Sequence, residues 1–118
     1  MKTKAFYTTI TTGDVEKTLA FYVGVLDFRV VHNLTEGDGM SVVLENDAGA
    51  RLEVMETKDV PAGLHALRTN VNNLDDAVAE LKANDCEILS GPEEIPAGRA
   101  IWMKDPNGIP IRVIEHRK

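Results

Sequence analysis

Cysteine occurs once, at Cys86, so the chain can close no disulfide within itself and holds no cysteine-rich metal motif; a reducing cytoplasm suits it. Apolar runs stay well short of the roughly 20 residues of a membrane-spanning helix. The opening MKTKAFYTTITT also lacks the apolar core of a secretory signal, so no membrane partner is expected. Basic residues are outnumbered 13 to 19, and the resulting net charge of -6 repels phosphates, which argues against nucleic acid as a partner. Serine stands only at Ser41 and Ser90, and there is no G-x-S-x-G, Walker or G-x-G-x-x-G segment. Covalent serine catalysis and phosphate cradling therefore have no visible machinery. The three histidines, His32, His65 and His116, share no paired metal-binding spacing, and His32, in a loop-like stretch, and His116, near the C-terminus, read as surface residues.

What the chain does have is a repeat. Its 118 residues, 43% hydrophobic, suit one domain spanning 1–118. Shifting the sequence by 59 places lays one half on the other, with modules of about 1–59 and 60–118. Val15, Leu19 and Tyr22 fall on Leu74, Val78 and Leu81, apolar stripes at helical spacing that predict helices over about Val15–Leu26 and Leu74–Ala83. Asp14 and Asn73 precede them, each with a side-chain oxygen able to cap free backbone N–H groups. SVVLENDAGARLEVME falls on AIWMKDPNGIPIRVIE, aligning Gly49 with Gly108, Val54 with Val113 and Glu56 with Glu115. Each segment reads as strand, turn and strand, DPNG being the stronger turn signal.

Each half thus reads as a strand, a helix and three strands. The strands are KAFYTTITT, FRVVHNL, GMSVVLE and RLEVMET, then LHALRTNV, CEILS, RAIWMK and IPIRVIEH, with KDVPAG as linker. A βαβββ unit covers one sheet face with its helix and leaves the other free, so two such units predict an α+β fold whose eight strands curve around a cleft for a small-molecule ligand.

The segments TTGDVEKTLAFYVGVLDFRVV, VVLENDAGARLEVME, NNLDDAVAELKAND and GRAIWMKDPNGIPIRVIEH resemble the vicinal oxygen chelate superfamily, which includes glyoxalase I, bleomycin-resistance proteins, fosfomycin-resistance enzymes and extradiol dioxygenases. The resemblance implies a glyoxalase/bleomycin-resistance-like fold, commonly paired as a homodimer. In the metal-dependent members it implies ligands, usually His and Glu, on the first and fourth strands of each module. Those positions here carry Tyr7, Glu53, Ala66 and Arg112. One carboxylate cannot make the three or four protein ligands of a catalytic metal, so no metal cofactor is expected.

A divalent metal is the alternative if the register of LHALRTNV slips by one and turns His65 toward Glu53. Against that, Leu67, Thr69 and Val71 share the face of His65, and an apolar set belongs under the helix. Ligand contacts are expected from Tyr7, Thr9, Glu53, Arg68 and Arg112, with Thr11 on the same face as Tyr7 and Thr9. Glu53 and Arg112, at equivalent places in the two halves, are expected to form a salt bridge where a metal once stood. Trp102 is expected in the core, because a four-residue DPNG loop pairs it with Ile111 and turns it away from Arg112. Phe21, Tyr22 and Phe28 read as packing residues. Two functions fit: a metal-free binding protein in the manner of bleomycin-resistance proteins, or an enzyme, either a glyoxalase-like or epimerase-like metal lyase or one using Glu53 as general base.

Overall fold

The computed structural model describes residues 1–36 and 39–117, with the backbone alone described at 34–36 and 39. Eight strands and two helices follow the order β1 (Lys4–Thr12), α1 (Val15–Gly24), β2 (Arg29–Glu36), β3 (Gly39–Glu45), β4 (Arg51–Glu56), β5 (Gly63–Asn70), α2 (Leu74–Ala83), β6 (Ile88–Ile95), β7 (Gly98–Lys104) and β8 (Pro110–His116). This is the α+β pattern of two βαβββ modules that the repeat predicts. By contacts the chain divides into two compact units, Tyr7–His65 and Met1–Phe6 with Ala66–Lys118.

In the first module the strands run β2-β3-β4-β1, with β1 parallel to β4 and the other pairs antiparallel. Helix α1 begins at Asp14, whose carboxylate accepts from the Lys17 backbone N–H at 3.1 Å. The next free donor, Val15 N–H, is taken by Glu56 Oε2 at 3.0 Å, from the last residue of β4. Val15 packs on Val42, Leu44 and Val54, with Ile10, Leu19, Tyr22, Phe28 and Leu52 around them. Each such aliphatic side chain contributes about 1.5–3 kcal/mol on burial. Tyr22 meets Phe28 edge to face with centroids 6.0 Å apart, whereas Phe21 is half exposed. The helix stops at Gly24, two residues before the predicted Leu26.

The second module repeats the plan as β6-β7-β8-β5, with β5 parallel to β8. Asn73 Oδ1 accepts from Asp76 N–H at 3.0 Å, and Glu115 Oε1 accepts from Leu74 N–H at 2.8 Å. The same glutamate, 59 places on, thus performs the same task. Leu74, Ala77 and Leu81 pack on Val71, Ile101, Met103 and Val113, with Ile111, Ile88 and Cys86 at the margin. Cys86 is therefore a partly buried packing residue. Strand β6 runs on to Ile95, well beyond the expected CEILS, because an irregular edge strand with two register shifts tolerates Gly91 and Pro92.

The β7–β8 turn differs from the predicted one. Lys104 pairs with Pro110, so the loop holds five residues, Asp105–Ile109, and not four. Asp105 Oδ1 accepts from both Asn107 N–H and Ile109 N–H at 2.8 Å, and Gly108 supplies the left-handed φ of 84° that closes the loop. The extra residue shifts the register by one, and Trp102 pairs with Arg112. Among the described residues no helix is long and apolar enough to cross a membrane.

Candidate functional site

Helix α1 covers the face of its sheet that carries Ile10, Val42, Leu44, Leu52 and Val54. Alternation then puts Tyr7, Thr9, Thr11, Ser41, Val43 and Glu53 on the opposite face. Cross-strand pairing lines up Val43, Glu53 and Thr9 in one row, since Glu53 is the partner of both. Glu53 is only 5% exposed, and a carboxylate that deep needs donors. Among its donors, Thr9 Oγ1 donates to Oε1 at 2.7 Å, and Ser41 Oγ donates to Oε2 at 2.8 Å. Each hydroxyl that gives its proton to the carboxylate keeps lone pairs for a further donor. Thr11 Oγ1 donates instead to the Pro61 carbonyl at 2.9 Å, which ties β1 to the segment leading into β5.

Tyr7, at one of the positions where the resemblance implies a metal ligand, is buried with the Arg51 guanidinium 5.7 Å from its ring centroid. Arg51 is itself held by Glu45, whose Oε2 accepts from Nε at 3.2 Å and from Nη2 at 2.8 Å. That hydrogen bond holds the Glu45 carboxyl below its ordinary value of 4.5.

In the second module Leu67 and Thr69 pair with Ile111 and Val113, both of them against α2. Those residues, and His65 with them by alternation, belong to the helix-covered face. Arg68 pairs directly with Arg112 on the other face. The two positions equivalent to Thr9 and Glu53 thus hold two arginines side by side. Arg68 is 5% exposed. Arg112 donates from Nη1 to Glu93 Oε1 at 2.9 Å, and its guanidinium lies 4.9 Å from the centroid of the Trp102 ring. Trp102 is accordingly no core residue of α2: the five-residue loop turns it to the face of Arg112, where it is half buried. His32 is another correction, an exposed residue of β2 paired with Val43 and not part of a loop. His116 closes β8, its Nε2 3.1 Å from Asn70 Oδ1.

These side chains are not the donor set that a divalent metal takes. Both oxygens of Glu53 receive hydroxyl protons, Ala66 has no donor atom, and the Arg112 guanidinium has no lone pair to give. Among the described residues no three His, Cys, Asp or Glu side chains gather as ligands would. Ser41, Arg51 and Glu93, the partners of the predicted residues within their modules, went unnoticed in the sequence. Ser41 carries one signal, being one of two serines in the chain, set within the apolar run of β3.

Comparison with known proteins agrees with this fold. The sequence matches the Glyoxalase/Bleomycin resistance protein/Dioxygenase superfamily over residues 4–113. No curated protein matches the chain by sequence. Among solved structures, a hypothetical protein from Bacillus halodurans C-125 aligns with TM-score 0.81 at 18% identity, covering 100% of this chain and 97% of that one. Methylmalonyl-CoA epimerase from Mycobacterium tuberculosis aligns with TM-score 0.79 at 17% identity over 95% of this chain and 87% of that one. NAD-dependent benzaldehyde dehydrogenase from Legionella pneumophila aligns with TM-score 0.77 at 16% identity over 96% and 100%. At such identities the likeness speaks for the fold alone.

Proposed function

The chain belongs to the Glyoxalase/Bleomycin resistance protein/Dioxygenase superfamily, and from that premise we propose that it is a metal-free, cytoplasmic binding protein that holds a small molecule against a helix-free sheet face and works as a homodimer. The observation that carries this reading is Glu53: a carboxylate 5% exposed, fixed by the hydroxyls of Thr9 and Ser41 on the face that α1 does not cover. Burying a charge is costly, and a strand that only needed β-propensity would have taken Val or Thr there. A fixed acceptor flanked by hydroxyls suits a ligand bearing O–H or N–H groups, which Tyr7 and Thr9 would also border. In the second module, considered by itself, Arg68 and Arg112 pair side by side and give the face that α2 leaves uncovered a cationic character.

The metal-free part rests on residue chemistry at the positions where the sequence resemblance implies metal ligands. An arginine there supplies a permanent positive charge without a coordination sphere. A thermal-shift screen of small polar molecules tests the binding part. A ligand present at 100 times its Kd stabilises the folded state by about 2.7 kcal/mol, a readily measured rise in Tm. At least one compound should raise the Tm of the wild type and leave Glu53→Gln unmoved. Equal shifts in both proteins, or none across a broad panel, would remove Glu53 from the site.

A further inference from the structure

We propose that the Arg112–Trp102 pair recognises a planar, carboxylate-bearing small molecule; this deepens the small-molecule reading above and rests on it. Three neighbouring strands put the parts in one row. Arg112 of β8 pairs with Trp102 of β7, and Trp102 with Ser90 of β6. On the other flank Arg112 pairs with Arg68 of β5. The face that α2 leaves uncovered therefore presents an aromatic ring between a hydroxyl position and two adjoining cationic ones.

The guanidinium is oriented before any ligand arrives. It lies over the indole, 4.9 Å from the ring centroid, with its side chain 16% exposed, a cation–π contact that restrains it. Its bond to Glu93 is a single one, from Nη1 to Oε1 at 2.9 Å, and Glu93 stands on the edge strand with its side chain 48% exposed. A carboxylate accepts two parallel N–H groups from an arginine fork when it can. Glu93 takes one and leaves Nε and Nη2 outside that bond. A monodentate ion pair whose carboxylate is half exposed is only modestly stabilising, so a ligand carboxylate with a flat apolar body exchanges for Glu93 at moderate cost. The body would lie along the Trp102 edge of the row, and the charge beside Arg112.

Trp102 is the only tryptophan in the chain, so its fluorescence reports on this face alone. Titration with sodium benzoate should change that fluorescence saturably with a Kd on the order of 1 mM, while isosteric but uncharged benzamide should do nothing in the same range. Glu93→Gln removes the competing carboxylate and should tighten benzoate severalfold. Arg112→Met should weaken it about tenfold or more, with far-UV circular dichroism confirming that the variant folds. Equal binding of benzoate and benzamide, or benzoate affinity unaltered by Glu93→Gln, would overturn the proposal, and the exposed Glu93 site keeps the second outcome readable even if Arg112→Met does not fold. A protein that gains Tm with a neutral ligand yet shows no benzoate signal would refute this inference and leave the binding function standing.

Discussion

Removing the carboxylate of Glu115 should cost the protein more stability than a residue at the end of a strand normally would. Its Oε1 accepts the Leu74 N–H at 2.8 Å, the first donor of α2, and Leu74 itself is fully buried against the sheet. Truncation to alanine leaves that N–H without its acceptor, a loss of about 1–3 kcal/mol for a charge-assisted bond. The carboxylate also opposes the positive end of the helix dipole, adding about 0.3–1 kcal/mol. Glu115→Ala should therefore destabilise by about 2 kcal/mol, and Glu115→Gln, which keeps an acceptor without the charge, by about 1 kcal/mol or less. Glu56→Ala, which loses the matching 3.0 Å bond from Val15 N–H, should behave alike. The two glutamates share no partner in these bonds, so the double variant should show the sum of the single effects. Urea denaturation provides the measurement, through the midpoint at constant m. A Glu115→Ala protein within 0.5 kcal/mol of wild type, roughly the range of a neutral surface change, would show that the helix end is satisfied without the carboxylate.

Other consequences are more local. The hydrogen bond from Arg99 holds the Asp75 carboxyl below its ordinary 3.8, so the pair stabilises fully above that pH and the contribution fades as pH falls through the depressed value; Arg99→Gln should lie below wild type at neutral pH and converge with it in acid. Gly98→Ala places a Cβ against the Glu115 carbonyl oxygen, a clash with backbone that should cost about 3 kcal/mol in the same urea assay. Light scattering at micromolar concentration should give about twice the 12.9 kDa chain mass, and a strict monomer would withdraw the homodimer.

The modules were legible because the repeat constrains every element twice. Asp14 and Asn73 marked both helix starts, and the alternation of Tyr7, Thr9 and Thr11 gave the polar face of β1 directly. Contacts that depend on register between strands were not legible. Ser41 reaches Glu53 only because β3 and β4 pair Val43 with Glu53, a fact that neither segment states alone. The face of Trp102 hangs on one residue of loop, and the sequence DPNG does not say that the Asp105 side chain spans to Ile109. The Glu56 and Glu115 identity was visible at the repeat offset, yet its purpose needed the strand end to be seen beside the helix start. Arg112 was anticipated as the partner of Glu53; within its own module its carboxylate is Glu93, from an edge strand whose length a glycine and a proline concealed.

The reading of this chain as a metal-free small-molecule binder meets its most direct test in one preparation, purified gently and divided between elemental analysis and native mass spectrometry, with Glu53→Gln alongside. Zinc, nickel, iron and manganese should all fall far below one equivalent, and the wild type should carry a small organic adduct that the variant lacks. About one equivalent of metal in the wild type, lost on Glu53→Gln, would contradict it and make Glu53 a ligand.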